Sequence, residues 1–108
     1  MNAKKAVKAP KGLLEAYLLS LCSRYPISGT EALRNIERLT EGEWKPSPGS
    51  IYPLIKRLKR RGLIMELEGG QKTYIITDDG RLQQMEIVKQ LEVELRVFNR
   101  LFDAVKPR

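Results

Sequence analysis

Between Trp44 and Gly62 the chain places Ser47, Ser50, Tyr52, Lys56, Arg57, Lys59 and Arg60, and not one carboxylate interrupts them. Hydroxyls, ammonium groups and guanidinium groups in this company donate hydrogen bonds to anionic oxygens and neutralise charge. The chemistry on offer is therefore recognition of a polyanion. Ile51, Leu54, Ile55 and Leu58 recur at i, i+3, i+4 and i+7 in the same stretch. Burying that stripe turns the cationic side chains of a helix outward.

Catalytic alternatives are removed by absences. The 108 residues contain no histidine and one cysteine, Cys22. That excludes His/Cys metal sites, Ser-His-Asp and Cys-His nucleophiles and histidine acid–base chemistry. No convergent carboxylate pair replaces them, so an enzyme has little support and no cofactor is expected. Cys22 lies on an apolar helical stripe and reads as a small core residue; a single thiol fits a reducing cytosol. The formal charge of +7 suits nucleic acid or an anionic membrane surface, and charge alone does not choose between them. No run approaches the roughly 18 apolar residues of a membrane span, and the basic start lacks the apolar centre of an export leader, so the expected location is cytoplasmic. The length suits one small domain.

The elements that would position the basic stretch follow in order. Residues 1–11, with Lys4, Lys5, Lys8 and Lys11, read as a flexible basic arm, either a solvated tail or a DNA-contacting one. Leu13, Leu14, Tyr17, Leu18, Leu21 and Cys22 form a first helical stripe ending near Arg24. Ser28-Gly29-Thr30-Glu31 is a capping box that opens a second helix, with Leu33, Ile36 and Leu39 toward the core and Glu41-Gly42 at its end. Trp44 in the connector is expected to plug the core.

The third helix starts at Ser47 or at Ser50. With Ser50 as cap, Pro53 falls where its missing N–H costs nothing; with Ser47 as cap, a tight or kinked first turn is expected. Gly62 suits the left-handed position after its end, and Leu63 can close on Leu58. Residues 63–68 and 72–77 then tend toward alternation around Gly69-Gly70-Gln71, a β-hairpin with Leu63, Met65 and Leu67 on one face opposite Tyr74 and Ile76. Thr77 caps a last helix running from Asp78 to about Val105, with Asp78 and Asp79 in its first turn.

Helix, helix, helix, hairpin, helix is the order of a winged helix-turn-helix: mostly α, with a two-stranded β wing and a long C-terminal helix. The winged-helix unit spans 12–77 and the C-terminal helix 78–108. In such a unit the third helix, here 47–62, enters the major groove and the wing, here 69–72, meets the backbone or minor groove. Ser47, Ser50 and Tyr52 stand where hydroxyls reach phosphates or base edges, and Lys56, Arg57, Lys59 and Arg60 would mostly neutralise phosphates. Gln71 and Lys72 are at the wing tip. Each also has a plainer reading: Tyr52 as a packing residue, the lysines and arginines as solubility charges.

On the last helix Val88, Leu91, Leu95, Phe98, Phe102 and Val105 are spaced 3, 4, 3, 4, 3, a heptad seam with Leu101 and Met85 beside it. The seam either folds back on its own domain or pairs with a second copy, and the homodimer is the favoured reading.

The stretch Trp44-Lys45-Pro46-Ser47-Pro48-Gly49-Ser50-Ile51-Tyr52-Pro53, with Gly62-Leu63-Ile64 and Tyr74-Ile75-Ile76-Thr77-Asp78-Asp79-Gly80-Arg81, resembles the PadR-like transcriptional regulators. The resemblance implies a winged helix with a C-terminal dimerisation helix, usually a repressor of transcription, binding double-stranded DNA. The family often has His-Gly-Tyr-Glu where this chain has Ser28-Gly29-Thr30-Glu31. The capping logic survives, and contacts made by that His or Tyr are not carried over. Some relatives bind flat hydrophobic ligands near the dimer interface; the last helix here has no tryptophan to stack on one, and no effector is named. The competing class is a winged-helix module that meets protein or RNA without operator specificity.

Overall fold

The structure, a computed structural model, describes residues 7, 9–10 and 12–107. Most of the basic arm expected at 1–11 lies outside the described residues, as does Arg108. Six elements follow one another: α1 (Leu13–Arg24), α2 (Gly29–Leu39), α3 (Pro48–Arg60), β1 (Ile64–Leu67), β2 (Thr73–Ile76) and α4 (Asp78–Val105). This is a winged helix-turn-helix carrying one long additional helix. No helix among the described residues is long and apolar enough to cross a membrane.

Each helix boundary has a local cause. Ser28 Oγ accepts the Glu31 N–H at 3.1 Å while the Ser28 N–H donates to Glu31 Oε1 at 3.2 Å, so both halves of the capping box form. Gly62 adopts φ 74 after α3, which places the Leu63 N–H on the Leu58 carbonyl at 2.9 Å and the Gly62 N–H on the Lys59 carbonyl at 3.0 Å. These two bonds are the Schellman closure, and they point Leu63 back into the core.

The core forms where these elements converge. Leu19 of α1, Ile27 of the first connector, Ala32 of α2, and Ile51 and Leu58 of α3 are completely buried, and Ile64, Tyr74 and Ile76 close the cluster from the hairpin. Each fully buried Leu or Ile contributes roughly 1.5–3 kcal/mol of transfer free energy. Ile27 also extends the sheet: its N–H donates to the Tyr74 carbonyl at 3.2 Å and its carbonyl accepts the Tyr74 N–H at 2.9 Å. Burial pushes the Cys22 thiol up to about 12, so it is a neutral apolar filler at any ordinary pH.

Four sequence expectations are corrected. Leu63, Met65 and Leu67 do not share an inward face: β1 begins at Ile64, which is buried opposite Ile76, while Met65 is half-exposed. Leu63 belongs to the helix closure, so the alternation starts one residue later. Leu39 is 70% exposed, because it is the last residue of α2 and no element covers that end. Trp44 is half-buried outside the core and is held by its N–H on Thr40 Oγ1 at 3.2 Å. On α1, Ala16 and Leu19 are buried while Leu13, Leu14 and Tyr17 are only partly so. That helix packs on both α4 and β2, which needs a wider apolar arc than one stripe.

Two links fasten the wing and the last helix to α3. Lys59 Nζ meets Glu66 Oε1 of β1 at 2.9 Å. Thr77, the cap of α4, donates its hydroxyl proton to the Gly62 carbonyl at 2.6 Å, accepts the Gly80 N–H at 3.0 Å, and donates its own N–H to the Leu63 carbonyl at 3.1 Å. A Cβ at Gly80 would run into the Leu63 carbonyl oxygen and come to 2.7 Å from Ile76 Cγ1.

Gly80→Ala is therefore expected to be destabilising by roughly 1–3 kcal/mol, since backbone rather than a flexible side chain must give way, and thermal unfolding followed by circular dichroism measures it. The Lys59 hydrogen bond holds the Glu66 carboxyl below its ordinary range, and the same bond raises Lys59. The contribution of the pair is thus fully present between the ordinary values of the two groups. It is lost as pH falls through the depressed Glu66 value or rises through the raised Lys59 value. In Lys59→Ala the Glu66 carboxyl should titrate higher than in the wild type, read by carboxyl NMR.

Candidate nucleic-acid interface

The first turn of α3 is tight. Ser47 is the N-cap residue with extended backbone, and both the Ser50 N–H at 2.9 Å and the Ile51 N–H at 3.1 Å donate to its carbonyl. Pro48 occupies the first helical position, where its missing N–H costs nothing, and Pro53 lies inside the helix. Of the two sequence alternatives, the Ser47 start with a tight first turn is the one observed. The Ser47 hydroxyl makes no capping bond and lies 3.4 Å from the Ser50 hydroxyl. Both serines are exposed, so two hydroxyls at the helix start remain open to an outside acceptor.

Burying Ile51, Leu54, Ile55 and Leu58 leaves the polar positions of α3 on two edges. On one edge Tyr52 and Lys56 join Gln71 and Lys72 of the wing and Gly29 and Thr30 of α2 around a depression of about 330 Å³. On the other edge Ser50 and Arg57 border a hollow of about 300 Å³ with Gly12 and Glu15 of the α1 start. Lys56, Arg57 and Arg60 are exposed. Lys59 is exposed too, but its ammonium is engaged by Glu66, a partner the basic stretch itself does not contain. Four of the nine residues singled out from sequence are thus gathered on one side, spanning α3 and the wing tip.

Tyr52 combines both readings made for it. Its ring covers Gly29, where a Cβ would come to 2.5 Å from Cε1, and its hydroxyl is 3.0 Å from Thr30 Oγ1. Yet 42% of the residue stays exposed. Sequence reasoning saw residues 28–31 only as a helix start and missed this seat. The available signal was a glycine followed by a hydroxyl residue at the first turn of the helix that precedes the basic one.

Along α4, Leu91 is buried within the chain, while Val88, Leu95, Phe98, Leu101, Phe102 and Val105 are exposed. Leu91 lies on the part of α4 that packs against α1, where Ile87 Cγ2 would be 3.3 Å from a Cβ at Gly12. Val93 and Val97, outside the heptad reading, are exposed as well and widen the apolar strip. Among the described residues no group of three or more His, Cys, Asp and Glu side chains is gathered for a metal ion.

Comparison with known proteins agrees with this geometry. A family profile described as "Transcriptional regulator PadR-like family" matches residues 18–86. The chain is 38% identical over 84 residues to the transcriptional regulator YqjI of Escherichia coli (strain K12), across 76% of this chain and 41% of that protein. The chain thus spans about two fifths of the length of that curated relative. A transcriptional regulator structure from Clostridium thermocellum superposes with a TM-score of 0.81 at 24% identity, covering 89% of this chain and 93% of that one. The structure of Bacillus subtilis PadR in complex with operator DNA gives 0.62 at 23% identity, over 74% of this chain and 48% of that one. The two superpositions establish a shared fold, and the profile reaches from the middle of α1 into α4, across the basic helix and the wing; the chain belongs to the PadR-like family of transcriptional regulators.

Proposed function

We propose that this protein is a homodimeric, sequence-specific DNA-binding repressor that acts in the cytoplasm on a pseudo-palindromic duplex. Helix 47–62 enters the major groove and wing 69–72 lies on the backbone or in the minor groove. The observation that carries this reading is the single exposed surface on which Tyr52 and Lys56 of α3 meet Gln71 and Lys72 of the wing. A fold relative, Bacillus subtilis PadR, has been solved with operator DNA, which supports DNA as the partner here. In this division of labour the unit 12–77 reads DNA and the helix 78–108 pairs two copies. Ser47, Ser50 and Tyr52 supply hydrogen bonds, and Lys56, Arg57, Arg60 and Lys72 supply charge that displaces counterions. Lys59 contributes less than its neighbours because Glu66 already accompanies it.

Pairing follows from the apolar strip on α4. Five of the six seam residues, and Leu101 beside them, are exposed in the single chain, and an amphipathic helix of 28 residues gains by covering them. Two recognition helices joined this way face successive major grooves when set about 34 Å apart.

Selection from random-sequence duplexes tests the reading directly. A preferred duplex whose affinity falls steeply with salt is the expected outcome; no preference for any duplex, or preference for RNA, overturns it. Replacing Lys56 and Arg57 together with Ala should lower the slope of log K against log[salt] by about two units, while the melting temperature stays close to wild type because both side chains are exposed. Leu95→Asp places a charge in the seam and should give monomers by analytical ultracentrifugation. A dimer that persists would move the interface elsewhere.

A further inference from the structure

We propose that Gly29 and Thr30 are positioning residues for Tyr52, and that the Tyr52–Thr30 hydroxyl pair, with Lys56 and Lys72, receives one backbone phosphate of the bound duplex. This deepens the DNA-binding reading and rests on it.

The geometry of the pair is the starting point. Tyr52 and Thr30 are 22 positions apart in sequence, yet their hydroxyl oxygens are 3.0 Å apart, and both residues are exposed. Two hydroxyls that share one hydrogen bond use one of their two O–H protons for it. Whichever of the two donates, one proton is left over, and it belongs to the pair as a single net donor. That leftover donor borders a depression whose wall also carries Lys56, Gln71 and Lys72 and no carboxylate. Glu31, the nearest acid in sequence, is turned away, since its Oε1 accepts the Ser28 N–H. One neutral donor between two ammonium groups suits an oxyanion, and a duplex supplies such groups at fixed intervals along its backbone.

Gly29 makes the arrangement possible. A Cβ there would meet the tyrosine ring at 2.5 Å from Cε1 and 3.0 Å from Cζ, so any side chain at 29 displaces the ring. Ring and hydroxyl are both located by the first turn of α2, which in turn is fixed by its capping box. The start of α2, the middle of α3 and the wing thereby converge on one anion, although only α3 and the wing carry the cationic charge.

The test uses a duplex recovered by the selection described above, remade with single methylphosphonates that neutralise one phosphate at a time. Tyr52→Phe keeps the ring on Gly29 and removes only the hydroxyl; Thr30→Val keeps the shape and removes the partner. Wild-type protein is expected to lose about tenfold in affinity at one phosphate, and Tyr52→Phe to lose about tenfold on the intact duplex while becoming insensitive to that same methylphosphonate. Thr30→Val should act at the same phosphate, and the double variant should bind no more weakly than Tyr52→Phe, with melting temperatures unchanged throughout. Lys72→Ala should lower the salt slope by about 0.9. If both hydroxyl variants bind the intact duplex as wild type does, or remain as sensitive to every methylphosphonate, the phosphate seat is wrong while the DNA-binding reading stands. Failure of wild-type protein to prefer any duplex overturns both.

Discussion

The bearing of α3 relative to the start of α4 depends on Thr77. A threonine has one hydroxyl proton, hydroxyl lone pairs and a backbone N–H, and here each is committed to a different backbone group: the Gly62 carbonyl, the Gly80 N–H and the Leu63 carbonyl. The end of α3 and the start of α4 therefore share the polar groups of a single residue. Gly80 allows this approach because a side chain there would collide with the Leu63 carbonyl. With Leu63 also drawn inward by the Schellman closure, no slack segment remains between the two helices.

Around that fixed junction the basic surface divides into unequal parts. Charge is spread along α3, but not all of it is free: Lys59 is tied to β1, and Arg61 Nη1 lies 3.8 Å from Glu15 of α1. These pairs link α3 and its C-cap to the wing and to α1, each joining an exposed cation to a half-buried carboxylate. The groups left to an outside partner are the hydroxyls of the first turn, Lys56, Arg57 and Arg60. A helix built this way keeps its long-range attraction and offers hydroxyls at its start and free cationic side chains farther along.

Much of this was legible in the residues because its causes are local. Ser28 to Glu31, Gly62 with Leu63, and Thr77 before two aspartates each specify a helix end within a few positions, and the order of elements followed from them. The misreadings share a different character. Leu63 was counted into a strand because it alternates with Met65, whereas its place is decided by the closure of the preceding helix. Lys59 seemed unpartnered because Glu66 reaches it only once the hairpin has turned back toward α3. Tyr52 and Thr30 meet across two helices, and no pattern within either helix announces a pairing at that separation. Leu91 fits the heptad as well as its neighbours do, and only the folded chain shows that it is buried within it.

The burial of Leu91 divides α4 at a definite point. Beyond it, positions 92–105 extend for roughly 21 Å at 1.5 Å per residue, and nearly all their side chains are exposed in the single chain. Helices of about 12–15 residues without tertiary support are marginal in water. The pairing proposed above would supply that support, and in such a dimer the ordering of the distal half of α4 would be a thermodynamic part of assembly, with helix content falling on dilution before the winged helix is disturbed.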